Sequence, residues 1–340
     1  MKGDFMRRLQ TGRILLAALV FCVGSGFAAD SQLLNLVMPD AQVMAGINVV
    51  NAEISPLGQF LLNKFSATPG NLDSLQKFIQ ETGFDPRTDL TEILAASNGN
   101  TATPTGLLLA KGNFSVSQFL SVLATDKTHQ VSTYAGATLI TPTDATQNHA
   151  VAFLGTNIAI VGDLASVKAA IDRSGGTNSI SSTTLAAQVD TLSLSQDAWS
   201  VTIASLGALI PGGAMGATQN GVATQTLQLV KNIQSASSGI KFGGNVQFTA
   251  QAIADTPANA TALSDVIKMV TGLISMGAAG SDKDIAVIAQ LLQSVQVSTN
   301  GTAVNIAATI PESQLEAVIN AAAAAQPQVK TAGPAKARKL

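Results

Sequence analysis

Asn300-Gly301 separates two runs of alternating residues, Val295 and Val297 before it and Val304, Ile306, Ala308 and Ile310 after it. Asn-Gly tolerates the positive φ angles of a tight two-residue turn, so with alternating flanks it predicts a hairpin. Gly243-Gly244-Asn245 is framed the same way, by Ile240 and Phe242 on one side and Val246, Phe248 and Ala250 on the other. Two further hairpins are expected over 131–140, turning at Ala135-Gly136, and over 150–161, turning at Gly155-Thr156. Val43, Ala45, Ile47 and Val49 also alternate, as do Trp199, Val201 and Ile203, which gives strands with one buried face. Leu107 to Ala110 adds a short apolar strand. A chain with this many local hairpins builds mostly antiparallel sheet.

Elsewhere the apolar period is helical. Leu57, Phe60, Leu61 and Phe65 follow Ser55-Pro56, an N-cap with proline at the first helical position. Leu72, Leu75, Phe78 and Ile79 lead to Gly83 as a C-cap. Val116, Phe119, Leu120 and Leu123 stand behind Ser115, and Leu164, Val167 and Ile171 behind Asp163. Leu227, Val230 and Ile233 suggest a helix, and Leu263, Val266, Ile267, Val270, Leu273 and Ile274 give the cleanest helical face. Ile285, Ile288, Leu291, Leu292 and Val295 give another, and Ser313 opens one with Leu315, Val318 and Ile319 inside. Residues 157–171 align without gaps on 305–319, sharing Asn157/Asn305, Ile158/Ile306, Ala159/Ala307, Ala169/Ala317 and Ile171/Ile319. The expected fold class is α+β, with two related modules at 33–178 and 179–325, each a mostly antiparallel sheet with packed amphipathic helices.

The N-terminus carries a different kind of pattern. Lys2, Arg7, Arg8 and Arg13 precede an unbroken apolar run from Ile14 to Val23, which ends at Gly24-Ser25-Gly26 before Phe27-Ala28-Ala29-Asp30. Basic, apolar and small-residue regions in that order read as a secretory signal peptide over residues 1–28. A cut after Ala28 puts Gly26 at the −3 position, whereas a cut after Ala29 puts Phe27 there. The apolar run is shorter than the roughly 20 residues that a membrane span needs, so no stable transmembrane anchor is expected after cleavage. Cys22 follows Val20-Phe21, a poor lipobox, and Leu9-Gln10-Thr11 is a poor twin-arginine context. Removal of 1–28 removes the only cysteine and leaves no disulfide or thiolate chemistry.

Charge is scarce, at 12% of residues against about 25% in an average domain. Lys330, Lys336, Arg338 and Lys339 lie in a tail, 326–340, whose composition reads as disordered, and the body from 29 to 329 has 11 basic and 20 acidic residues. Such a body does not attract polyanions, so nucleic acid is excluded as a partner.

The search for chemistry returns no catalytic residue, no cofactor-binding residue and no metal site. His129 and His149, the only histidines, read as solvated loop residues beside Asp126 and Asp144. No G-x-S-x-G follows the signal segment, and no phosphate- or dinucleotide-binding glycine motif follows a strand. With one Trp and one Tyr, platforms for stacking sugars are nearly lacking. The polar cluster Asp85, Arg87 and Asp89 reads either as an anion site or as a helix-exit turn, the turn being favoured. From Ala198 to Val230 there is no charge, and Leu206, Leu209, Ile210, Pro211 and Met215 form an apolar, glycine-rich stretch. That stretch reads either as a connection folded over the core or as a loop that touches lipid, an apolar ligand or a partner.

Met38-Pro39-Asp40, Gly83-Phe84-Asp85-Pro86 leading to Asp89-Leu90, Tyr134-Ala135-Gly136 and the Asn157–Ile171 segment together resemble an uncharacterised class of exported bacterial proteins that carry a domain of unknown function. The resemblance implies a duplicated α/β envelope protein and transfers no catalytic residue. The resulting expectation is an exported, non-enzymatic protein of the bacterial envelope, periplasmic or secreted, that acts as a binding or assembly scaffold. Its partner would be an envelope protein or an apolar ligand. The alternatives are a periplasmic carrier of an apolar ligand or lipid and a hydrolase with a dispersed site.

Overall fold

The computed structural model describes residues 28–68, 70–177, 179–206, 228–277 and 290–325. After a single helical turn, α1 (Ser31–Leu34), the chain enters β1 (Val43–Asn48) and then three helices, α2 (Val49–Ile54), α3 (Pro56–Ala67) and α4 (Asn71–Thr82). Strands β2 (Leu90–Ser97) and β3 (Gly106–Gly112) lead to α5 (Val116–Leu123). Two hairpins follow, β4 (His129–Tyr134) with β5 (Ala137–Pro142) and β6 (Ala150–Leu154) with β7 (Ile158–Gly162), then α6 (Leu164–Arg173). The second half runs α7 (Thr183–Ser195), β8 (Ala198–Thr202), β9 (Ile233–Lys241), β10 (Asn245–Ala254), α8 (Pro257–Gly277), β11 (Gln296–Asn300), β12 (Ala303–Pro311) and α9 (Glu312–Ala325). The fold class is α+β.

The twelve strands of the described residues belong to one sheet, in the order β11-β12-β10-β9-β8-β1-β2-β3-β7-β6-β5-β4, and each neighbouring pair is antiparallel. The two halves of the chain meet where β1 pairs with β8, Met44 opposite Val201 and Gly46 opposite Trp199. Outward from that seam the orders are β1-β2-β3-β7-β6 and β8-β9-β10-β12-β11, and the first half ends in the extra β5-β4 hairpin.

Strand pleat sorts the side chains onto two faces. On the first face Met44, Leu94, Ala96, Leu107, Leu109, Ile158, Ile160, Trp199 and Val201 form the largest core. It is closed by Leu33 of α1 and Leu36 and Val37 just after it, by Val167, Ala170 and Ile171 of α6, and by Leu185 and Val189 of α7. Arg173 Nη2 donates to the Leu36 carbonyl at 2.9 Å and ties α6 to the N-terminal segment. On the second face Phe84, Phe114 and Phe153 pack with Phe78 of α4 and Phe119 of α5. The Phe84 and Phe114 rings stack with centroids 5.1 Å apart. Farther along this face Leu57 of α3 meets Ile240, Val246, Leu315 and Ile319, and Ala260 and Leu263 of α8 meet Ile233, Ala254 and Val304.

The helix boundaries follow from their caps. Ser55 accepts from the Gly58 N–H at 2.9 Å and Pro56 begins α3. Gly83, at φ 65°, ends α4, where a side chain would meet the left-handed penalty. Asp163 accepts from the Ser166 N–H at 2.9 Å at the head of α6. Asp163→Ala is expected to lower stability by about 1 kcal/mol, read as a shift of the urea midpoint with an unchanged slope; Asp163→Ser is expected to recover most of it.

Several sequence expectations are corrected. Ile233 begins β9 rather than closing a helix, because it packs under Ala254 and Val304 of the sheet. The helical face of α8 is covered through Ile267, but Met269, Val270 and Leu273 are exposed. Val295 precedes β11 rather than ending a helix. β2, α2 and α7 have no counterpart in the sequence reading. The gapless alignment of 157–171 on 305–319 does not preserve sheet faces. Ile158 and Ile160 point into the first-face core, whereas Ile306 and Ala308 share the opposite face with Phe248 and Val246. Residues 1–27, Ile285, Ile288 and the tail 326–340 lie outside the described residues.

Candidate functional site

In the first half of the sheet, α6 follows the hairpin β6-β7 and lies on the first face. In the second half, α9 follows the hairpin β11-β12 but turns to the other face, where Leu315 and Ile319 pack against Leu57. Among the described residues, the first face over β9, β10 and β12 is therefore covered only along one side, by α7, which packs on β8 and β9. The result is an open groove of about 580 Å³ between α7 and the sheet.

The groove wall from α7 consists of Thr184, Ala187, Gln188, Thr191 and Leu192, and the floor of Ser237, Thr249, Gln251, Asn305 and Ala307, with Ser238, Ala250 and Ile306 at its margins. Alternation produces this floor: Val246 and Phe248 face one way while Gln247, Thr249 and Gln251 face the other. The Gln251 Nε2 donates to Asn305 Oδ1 at 2.8 Å, which fixes both amides across neighbouring strands. On the wall, the Gln188 Oε1 is buried and has no hydrogen-bond partner among the described residues. Buried acceptors nearly always find a donor, and this oxygen, closed off from the groove, meets one there only if the Gln188 side chain turns outward. Every polar lining group is a hydroxyl or an amide. A charged ligand would lose its hydration here without a counter-charge, which is costly, so the groove suits an uncharged one.

A second, small cavity of about 20 Å³ lies at the other end of α7. It is lined by Ala28, Ala29, Ile47, Asn48, Glu92, Ser193, Gln196, Asp197 and Trp199. The Asp30 N–H donates to both Glu92 oxygens, each at 3.2 Å. Lys111 forms its ion pair with Asp30. Burial, with the Asp30 carboxylate adding to it, pushes the Glu92 carboxyl up to about 7, against the pull of the Asp30 N–H and the Lys111 charge. Asp197 is 2% exposed, and its Oδ2 accepts from the Phe242 N–H at 3.3 Å.

The residues singled out in the sequence are dispersed. Arg87 donates twice to Asp85, from Nε at 2.9 Å and from Nη2 at 2.7 Å, and the Asp85 N–H donates to Asp89 Oδ2 at 2.7 Å. These bonds close a turn between α4 and β2, and the Arg87 hydrogen bonds hold the Asp85 carboxyl below its ordinary value despite some burial. Leu206 packs against the cluster of Ile233, Ala254 and Val304, which draws the start of the apolar, glycine-rich stretch onto the core. Leu209, Ile210, Pro211 and Met215 lie outside the described residues. The histidines are not freely solvated. The His129 side chain is 6% exposed, and its Nδ1 lies 2.7 Å from Asp126 Oδ2 and 2.9 Å from Thr128 Oγ1. His149 is half-buried, its ring 6.5 Å from that of His129, because β4 and the approach to β6 flank the same strand, β5. Among the described residues no group of three or more His, Cys, Asp or Glu is placed to hold a metal ion, and no helix is long and apolar enough to cross a membrane.

The sequence reading missed the groove entirely. Its lining residue types are those of any solvated strand or helix face; the signal that was there is the run of polar alternates Gln247, Thr249 and Gln251.

No protein-family model and no curated protein matches the chain. Among solved structures, three crystal forms of the protein TP0453 are similar to it. Form III has a TM-score of 0.49, form I of 0.45 and form IV of 0.42, each at 11% identity. They cover 86%, 86% and 85% of this chain, and 98%, 98% and 97% of theirs. At that identity the likeness assigns no role to any residue.

Proposed function

We propose that this chain is an exported, non-enzymatic protein of the bacterial envelope that binds an uncharged ligand or partner segment in the groove between α7 and β9, β10 and β12. The groove itself carries the reading: about 580 Å³ lined by hydroxyls, amides and methyls. None of those side chains titrates near neutral pH, so the lining is suited to holding a molecule rather than to acid–base chemistry. Export is supported by the basic, apolar and small-residue order of the first 28 residues. Membership of the uncharacterised exported family, and descent of 33–178 and 179–325 from one duplicated module, belong to the same proposal. The matching strand order on either side of the β1–β8 seam favours duplication, while the opposed faces of Ile158 and Ile306 require a register change since.

A second reading, a carrier of an apolar ligand, is favoured by the methyl groups of Ala187, Leu192 and Ala307 in the same groove. Native mass spectrometry of protein taken from its own cells separates the two, because a lipid and a peptide or glycan differ in mass and fragmentation. Ala307 is exposed on the groove floor. Ala307→Trp is expected to fill the groove and lower ligand occupancy at least ~10-fold, the effect of about 1.4 kcal/mol, with no change in melting temperature. Equal occupancy in the variant places the ligand elsewhere and overturns the reading.

A further inference from the structure

We infer that the small cavity beside Glu92 is a socket for the α-amino group of Ala29, created when the signal segment is cut off, and that this amine and Glu92 lock the processed chain in its folded form. The inference rests on the export reading and goes beyond it. Hydrolysis of the Ala28–Ala29 bond breaks the C–N bond, leaves a carboxylate on Ala28 and, with a proton from water, an ammonium on Ala29. The cut is made by an envelope signal peptidase before the chain folds.

Three observations place that ammonium. Ala29 is 8% exposed and lines the cavity, whereas Ala28, also at its rim, is exposed. The next backbone nitrogen along, that of Asp30, already donates to both oxygens of Glu92. The cavity, at about 20 Å³ with Ala28 still on its rim, holds roughly one water, and loss of Ala28 on cleavage opens it further around the Ala29 nitrogen. Its charge is also wanted there. Lys111 pairs with Asp30, and no salt bridge of the described residues reaches Glu92, which shares the cavity with the Asp197 side chain. A buried carboxylate without a cation is expensive, and one with a cation and hydrogen bonds is not. Before cleavage the Ala29 nitrogen is a neutral amide and answers none of this. After cleavage it carries the missing charge.

The test has two parts. Intact-mass analysis of the exported protein is expected to give Ala29 as the first residue; a first residue elsewhere overturns the export cut and the lock with it. Independently, a chain trimmed by a sequence-specific protease to begin at Ala29 is compared with one that keeps a single extra residue ahead of it. The trimmed chain is expected to melt several degrees higher at neutral pH, and its α-amine, followed by amine-labelling rate against pH, to titrate at least ~1 unit above the ordinary 7.7–8.0. Glu92→Gln is expected to remove both effects in the trimmed chain and to leave the extended chain no less stable. Equal melting temperatures together with an ordinary amine titration overturn the lock while leaving export intact.

Discussion

A chain that keeps residues ahead of Ala29 is expected to lose about 3 kcal/mol of stability as the pH rises from 4.5 to about 7. Glu92 is the cause. Burial first of all, then the Asp30 carboxylate, raises its folded-state value to about 7 from 4.5. Between those two values the folded chain holds a proton that the unfolded chain has released, so folding is favoured at low pH and the advantage is lost as the pH rises through 7. Denaturant unfolding at pH 4.5 and at pH 7.5 measures it, and Glu92→Gln, which cannot ionise, is expected to flatten the profile. A wild-type profile as flat as that of the variant would show that the carboxyl is hydrated and has no such influence.

The second large effect lies at the seam of the sheet. Trp199 is 4% exposed, and an ideal Cβ on Gly46 would stand 2.5 Å from its Cζ2. The indole thus packs directly on a residue that has no side chain, across the β1–β8 pairing. Trp199→Ala is expected to cost about 3–5 kcal/mol, through lost burial and the cavity left between the halves. Gly46→Ala forces the ring aside and is expected to cost about 1–3 kcal/mol. The two changes are strongly coupled. In a Trp199→Ala background the Gly46→Ala methyl enters empty space and its cost is expected to fall to near zero, which a double-mutant cycle on urea unfolding reads directly.

What the sequence made legible depended on whether burial was one-sided. Hairpins at Ala135-Gly136, Gly243-Gly244 and Asn300-Gly301 were readable because turn residues and alternating flanks agree. β2 was not, since Ile93, Leu94, Ala95 and Ala96 are consecutive and its central position leaves both faces under cover. α7 escaped for another reason. Its buried stripe is Leu185, Val189 and Ser193, so a serine stands where the helical period calls for an apolar residue. β9 interleaves serines and alanine where alternation would show, and the helical period through Val230, where residues 228–231 are indeed helical, runs on to Ile233 and hides the start of the strand. The groove was illegible because its cause is a choice of side by α9. That choice depends on Leu315 and Ile319 finding Leu57 of α3, a contact between residues far apart in the chain.

The order of strands also has a kinetic consequence. β2 with β3, β4 with β5, β6 with β7, β9 with β10 and β11 with β12 are sequence neighbours, so each can zip from a short loop. The pairing of β1 with β8 joins Val43–Ile47 to Ala198–Thr202 and closes by far the longest loop in the sheet. Loop-closure entropy makes that contact slow to form. The middle of the sheet, where Trp199 packs on Gly46, is thus expected to be joined late, after the local hairpins on either side of it have formed.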